Sequence, residues 1–247
     1  MRCFAYGSNL DAQDWLRHCA ERGVASDGLR PAGPAVLPDM TLLFDYFAVS
    51  RGGGVANIAP RVGHLVHGAL FEVDAPTWRI LDDKESAPSR YARTQRTAIL
   101  PGGSHEPVVV YEVVPERRGA FTAPTRDYLD AVRRGYVRFG LPLDVLERAA
   151  TGDAPLPCVQ GFFCADAQAR PMLQHAERAG ISLHESLPAV SAEGVHGVLY
   201  RFDDLPAALR TLDAAAGAAD VRTLVMVTRA DARVERAWSH TTAPAVR

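Results

Sequence analysis

The chain has 247 residues, 47% of them hydrophobic and 23% charged, with a net charge of −2, which suits one large globular domain or two small ones. Of its 27 basic residues only Lys84 is a lysine. The arginines read as the coding bias of a GC-rich bacterial genome; scattered among acidic residues, they build no tract for nucleic acid. The apolar stretches fall short of the roughly 20 residues that cross a bilayer, and no basic n-region with an h-region opens the chain, which predicts a cytoplasmic protein.

Cys3, Cys19, Cys158 and Cys164 form no Cys-x-x-Cys pair and no spacing shared with histidine, so neither zinc site nor disulfide framework is expected. His64 and His67, three apart in a strand-like run, point to opposite faces and do not suggest a metal pair. No metal or cofactor is expected.

In chain order, Met1 to Tyr6 alternates as a short strand, and Gly7-Ser8-Asn9 is a turn that opens a helix ending at Gly23. Gly28 to Asp39 is rich in proline and glycine and predicts irregular chain. Strands are expected at Met40 to Val49, Val55 to Ile58 and Leu65 to Val73, the first two joined across a glycine-rich turn. Asp74-Ala75-Pro76 caps a helix over Trp78 to Asp83, because an aspartate N-cap followed by a first-turn proline is a helix start. Glu85 then falls in a loop. Thr97 to Leu100 and the β-branched Val108 to Val114 read as strands, and Thr122 to Phe139 as a helix closed by Gly140 and Pro142.

Residues 151–157 are polar, proline-containing and aperiodic, and predict a linker. Beyond them the sequence repeats. Val66-His67-Gly68-Ala69-Leu70-Phe71 returns as Val195-His196-Gly197-Val198-Leu199-Tyr200, a shift of 129 (195 − 66). The start repeats more faintly at a shift of 157 (163 − 6), with Tyr6 on Phe163, Leu16 on Leu173 and His18 on His175. Blocks matched in the same order predict two copies of one fold, the second abbreviated.

A strand running into a small-residue turn at a helix start offers unpaired N–H groups to a carboxylate, phosphate or oxyanion. By itself Tyr6-Gly7-Ser8-Asn9-Leu10 is equally a plain turn, and Glu85, beside Asp82 and Asp83, equally a surface charge. Ser8 lacks a Gly-x-Ser-x-Gly elbow. Read together, Phe4-Ala5-Tyr6-Gly7-Ser8-Asn9-Leu10, Gly54-Val55-Ala56-Asn57-Ile58, Val66 to Phe71, Leu81-Asp82-Asp83-Lys84-Glu85 and the Tyr128-Leu129 to Gly140-Leu141-Pro142 helix resemble the γ-glutamylcyclotransferase family, in family order across residues 1 to about 147.

The resemblance implies an α+β fold, a small mixed β-barrel with flanking helices, here duplicated in tandem. It also implies an enzyme, needing no cofactor, that releases 5-oxoproline from a small-molecule γ-glutamyl amine or amino compound, with Glu85 as general acid/base. The Tyr6-Gly7-Ser8-Asn9-Leu10 loop, Tyr91 and Tyr111 would line the substrate pocket. Ser86 stands where the family usually has glycine.

The expected organisation is a catalytic domain over residues 1–150, a linker over 151–157 and a non-catalytic copy over 158–247. In that copy, alanines 214–216 meet Glu85, and the copy stands in for a dimer partner or shapes the pocket rim. Deprotection of a γ-glutamylated intermediate of specialised metabolism is the expected role. A catalytically silent γ-glutamyl-binding or regulatory protein is the rival.

Overall fold

A computed structural model describes residues 1–242, which fall into two compact units divided between Leu156 and Pro157. In the first, β1 (Arg2–Ala5) leads through a 3-10 turn (Ser8–Leu10) to α1 (Ala12–Arg22). A hairpin follows, β2 (Leu29–Ala48) with β3 (Gly53–Val73), then α2 (Ala75–Glu85), β4 (Tyr91–Ile99) and β5 (His105–Val113). The helices α3 (Arg126–Phe139) and α4 (Leu143–Thr151) complete the unit. The strands close into a barrel in the order β1-β3-β2-β4-β5, with β1 parallel to β5 and the other pairings antiparallel.

Phe4, Phe44, Ile58, Leu70, Leu81 and Tyr136 are fully buried in its core. Each such side chain contributes roughly 1.5–3 kcal/mol of hydrophobic burial, which is how the tightly buried face of α2 holds against the strands.

The second unit repeats this plan with β6 (Phe162–Ala165), α5 (Asp166–Arg178), β7 (Leu183–Ser191), β8 (His196–Phe202), α6 (Leu205–Ala215), β9 (Asp220–Arg229) and β10 (Val234–Thr242). Its closed order β10-β6-β8-β7-β9 is the first order with each strand replaced by its counterpart, down to the parallel β6–β10 pair. The chain thus carries two closed α+β barrels of one plan, one after the other in sequence, the arrangement that a tandem duplication leaves.

Register corrects the sequence alignment of the copies. Phe4 pairs with Leu70 and Phe163 with Leu199, so the first strands correspond at a shift of 159 (163 − 4) instead of 157. The glycines at the crossing agree. A Cβ on Gly68 would lie 2.3 Å from the Ala5 carbonyl oxygen and 2.5 Å from the Phe4 ring, and one on Gly197 would lie 2.2 Å from the Cys164 carbonyl and 2.7 Å from the Phe163 ring. Both copies therefore need glycine at the same close approach of backbone to backbone.

Four further expectations change. Residues 28–39 are mostly strand: β2 accommodates Pro31, Pro34 and Pro38 because it pairs along its length with β3, is bulged beside Pro31 and Pro38, and meets β4 only at Val36. The two strands expected at Val55 to Ile58 and Leu65 to Val73 are one continuous β3. The helix expected from Thr122 begins at Arg126, with the Thr125 hydroxyl accepting from the Tyr128 N–H. Lastly, α2 runs on to Glu85, so Glu85 is the last helical residue instead of a loop residue.

Candidate active site

One end of the first barrel gathers most of the residues singled out from the sequence. Tyr6, Gly7, Ser8, Asn9, Glu85, Tyr91 and Tyr111 line a single cavity together with Cys3, Ala56 and Tyr128. Leu10 does not reach it: its side chain is fully buried beneath α3, where Gly135 comes so close that a Cβ there would sit 2.3 Å from the Leu10 Cβ.

The loop after β1 is a tight turn. The Leu10 N–H bonds the Gly7 carbonyl at 3.1 Å and the Asp11 N–H bonds the Ser8 carbonyl at 3.0 Å. The N–H groups of Gly7, Ser8 and Asn9 have no protein acceptor among the described residues, as expected for the first amides of such a turn.

Opposite the loop, α2 is started by Asp74, whose carboxylate accepts from the Thr77 N–H at 2.9 Å, and ended by Ser86 at φ 52°, ψ 44°. Ser86 thus takes the left-handed conformation that glycine adopts more cheaply, and its N–H closes the helix on the Asp82 and Asp83 carbonyls. The helix stops there, leaving the half-buried Glu85 facing the loop, where Asn9 Nδ2 donates to Glu85 Oε1 at 2.8 Å. Burial pushes the Glu85 carboxyl above its ordinary value, while Lys84, the Asn9 hydrogen bond and Arg51 oppose that rise.

Three tyrosines form the wall. The Tyr6 hydroxyl donates to the Tyr111 carbonyl at 2.6 Å, the Tyr91 hydroxyl donates to the Ala56 carbonyl at 3.1 Å, and the Tyr128 hydroxyl accepts from the Ala56 N–H at 3.1 Å. Burial holds Tyr6 and Tyr91 well above the usual phenol range, raises Tyr128 to about 12 and lifts the Cys3 thiol to about 12. All four are neutral at physiological pH, so the wall supplies hydrogen-bonding groups and no thiolate.

Beneath them lies a charge network. Arg51, at the β2–β3 turn, clamps the Asp14 carboxylate through two bonds of 2.9 and 2.8 Å, and Lys84 Nζ donates to Asp14 Oδ2 at 2.9 Å and to Asn9 Oδ1 at 2.6 Å. Burial would raise Asp14; Lys84 and Arg51 instead hold it far below the usual carboxylate range. Tyr111 is committed elsewhere: its hydroxyl donates to Asp82 Oδ1 at 2.8 Å and accepts from Arg93 Nε at 3.1 Å, while Arg93 also bonds Asp82 and stacks over Trp78 with its guanidinium carbon 4.5 Å from the ring centroid.

Tyr128, Ala56, Asp14, Arg51 and Lys84 were not singled out as site residues from the sequence. Ala56, Lys84 and Tyr128 stand in the blocks that carry the family resemblance, and Lys84 is also the one lysine among 27 basic residues; Asp14 and Arg51 carried no signal.

Comparison with protein-family models matches residues 3–130 to γ-glutamyl cyclotransferase, AIG2-like. The chain belongs to this family. The matched span lies within the first barrel and carries every cavity residue. Among solved structures, the chain resembles a protein titled γ-glutamyl cyclotransferase, at 21% identity and a TM-score of 0.51, covering 63% of this chain and 89% of that one. An uncharacterized protein from Homo sapiens matches at 22% identity and a TM-score of 0.52, covering 63% and 88%. YkqA from Bacillus subtilis matches at 22% and 0.50, covering 64% of this chain and 55% of that one. At these identities the likeness shows the fold. No match is found among curated proteins.

Proposed function

We propose that the chain is a γ-glutamylcyclotransferase, releasing 5-oxoproline from a γ-glutamyl amine or amino compound with Glu85 as the proton carrier. The observation that carries this reading is the raised, half-buried Glu85 carboxyl held by Asn9 across from the free loop N–H groups, within a tyrosine-walled cavity of a γ-glutamyl cyclotransferase-type barrel.

The substrate contains its own nucleophile. Its α-amino nitrogen attacks the γ-carbonyl carbon; as that C–N bond forms, an amine proton passes to Glu85. The tetrahedral oxyanion collapses, the bond to the departing amine breaks, and Glu85 returns the proton to the leaving nitrogen. Folding the glutamyl chain into this geometry supplies roughly 7–11 kcal/mol as effective molarity, and the proton transfer about 10²–10⁴-fold. No metal or cofactor has a step to perform. The Gly7, Ser8 and Asn9 N–H groups suit the oxyanion or the α-carboxylate.

In this reading residues 1–150 are the catalytic domain, 151–157 the linker and 158–247 the non-catalytic copy. Tyr6 and Tyr91 shape the glutamyl pocket, and Tyr111 steadies α2 through Asp82. A γ-glutamylated intermediate of specialised metabolism is the proposed substrate class. The test is incubation with a panel of γ-glutamyl amino acids, alkylamines and diamines, with 5-oxoproline read by mass spectrometry. Product from one subclass identifies the leaving amine; saturable binding with no product from any of them would overturn the enzymatic reading in favour of a binding protein.

A further inference from the structure

The sole lysine of the chain sits in an unusual place. Its side chain is 7% exposed and lies between Asp14, itself 1% exposed, and the Asn9 side chain, with Nζ at 2.9 Å from Asp14 Oδ2 and 2.6 Å from Asn9 Oδ1. An ammonium group only donates hydrogen bonds, so the Asn9 atom that faces it must be the amide oxygen. That fixes the amide: Nδ2 has to face Glu85, as its 2.8 Å contact with Oε1 shows. Turned over, Asn9 would set its oxygen against Oε1, an arrangement that suits only a protonated Glu85 and leaves Lys84 facing an NH₂ group.

Lys84 and Glu85 are neighbours on α2, and adjacent helical residues point apart. No direct ion pair joins them among the described residues. The connection runs through Asn9.

We propose that Lys84 is a positioning residue that, through Asn9, fixes the orientation and ionisation of Glu85. This rests on Glu85 being the proton carrier. The network gives a proton carrier what it needs at the start of the reaction: burial favours the protonated carboxyl, and a donor locked in place works against that without neutralising the group in a direct salt bridge. The charged and titratable groups facing Glu85 are Lys84 on its own helix, Asp14 on α1, Arg51 at the hairpin turn, Cys3 and Tyr6 from β1 and its following loop, Tyr91 on β4 and Tyr128 on α3. Cys3 and the tyrosines stay neutral, Arg51 is spent on Asp14, and Lys84 is the cation tied to the Asn9 amide.

Two measurements test this. In Lys84→Met, Asp14 keeps Arg51 and Arg17 as partners, so folding should survive. The acid limb of the kcat/KM–pH profile for the most active γ-glutamyl compound should move up by about one pH unit, in line with removing a nearby opposite charge, and Lys84→Arg should reverse part of that shift. A lysine with a purely structural role would lower activity without moving the limb, and an unmoved limb in folded Lys84→Met overturns the proposal.

The second measurement needs neither turnover nor a change at Lys84. Because the chain has one lysine, protein labelled with ¹³C,¹⁵N-lysine gives one side-chain signal set. Its Cε and Nζ resonances should titrate with the midpoint of Glu85, and that titration should vanish in Glu85→Gln. A flat response in the wild type, or one unchanged in Glu85→Gln, overturns the link. If wild type releases no 5-oxoproline from any panel member, the enzymatic reading fails, and the resonance titration still decides whether Lys84 sets the state of Glu85.

Discussion

The two barrels share five strands in one closed order, a glycine at the same crossing and a helix capped by an aspartate, Asp74 on Thr77 in one and Asp204 on Ala207 in the other. They also share a less obvious device. Arg93 pairs across strands with Tyr111, and both bond Asp82 at the end of α2; in the second barrel Arg222 pairs with His240, and both approach Asp213 on α6, at 3.1 and 2.9 Å. The guanidinium stacks on a tryptophan in each, Trp78 at 4.5 Å and Trp238 at 4.7 Å. A feature present in both copies belongs to building the barrel. The Tyr111 hydroxyl is thus tied to Asp82 of α2 while its ring stands on the cavity wall.

What differs is concentrated at the cavity end. Between β1 and α1 the first copy has the loop and 3-10 turn that carry Gly7, Ser8 and Asn9, whereas β6 ends at Ala165 and α5 begins at Asp166 with nothing between. The hairpin β2–β3, long enough to bring Ala56 to the cavity and Arg51 to Asp14, shrinks to the short β7–β8 pair. From the matched first strand to the matched glycine the second copy is shorter by 30 residues (159 − 129). The helix that ends on Glu85 ends on Ala215. Among the described residues of the second barrel, loop, hairpin arm and carboxylate are missing together, while the strand order is kept.

Five sets of measurements test this contrast. The largest effect belongs to Glu85→Gln, which should lower 5-oxoproline release by about 10²–10⁴-fold with the circular dichroism unchanged; adding Ala215→Glu should restore nothing, and recovery in the double variant would show that the second barrel retains a working site. Gly68→Ala and Gly197→Ala should each destabilise by about 1–3 kcal/mol or more in chemical denaturation, since the added methyl meets backbone in both. A clear difference between the two would undo the 159 register. Arg93→Met and Arg222→Met should each cost about 1–2 kcal/mol by the loss of charged hydrogen bonds. Only Arg93→Met should also depress kcat, because only α2 carries the proposed proton carrier, Glu85.

A smaller effect concerns pH. The Glu85 carboxyl is raised in the folded state from an ordinary value of 4.5, so the folded protein binds the extra proton and loses stability as pH rises through that window. Glu85→Gln should therefore be the more stable protein at neutral pH and lose its advantage as pH falls below the ordinary value; equal melting temperatures at both pH extremes would argue against a buried ionised carboxylate. Smallest is Ser86→Gly. Removing the left-handed strain is worth about 1–2 kcal/mol and the extra freedom of unfolded glycine takes back part of it, leaving a gain of about 0.5–1 kcal/mol in thermal melts.

Much of this fold was legible from local signals. Asp74 with Pro76, Gly23 and Gly140 mark helix ends because capping depends on a few adjacent residues, and each marks one in the structure. The repeated Val-His-Gly block exposed the duplication because a buried strand with an obligatory glycine leaves a recognisable run. The proline-rich start of β2 misled, since whether a missing N–H matters depends on how the neighbouring strand pairs, which composition does not record.

The same division holds for the candidate site. The sequence alone carries a Tyr-Gly-Ser-Asn-Leu turn, a glutamate just beyond a capped helix start and a repeat of the first unit's blocks, because each is written in contiguous residues; that α2 runs on to include Glu85 came from the fold. The sequence also carries the peculiarity of a single lysine. It took the folded chain to show that Lys84 reaches Asn9 75 residues away, that Arg51 closes on Asp14 across 37, and that Tyr111 is turned toward Asp82. Those contacts form when barrel closure brings distant strand ends and helix ends to one place, and hydrogen bonds select partners by geometry that no local pattern encodes.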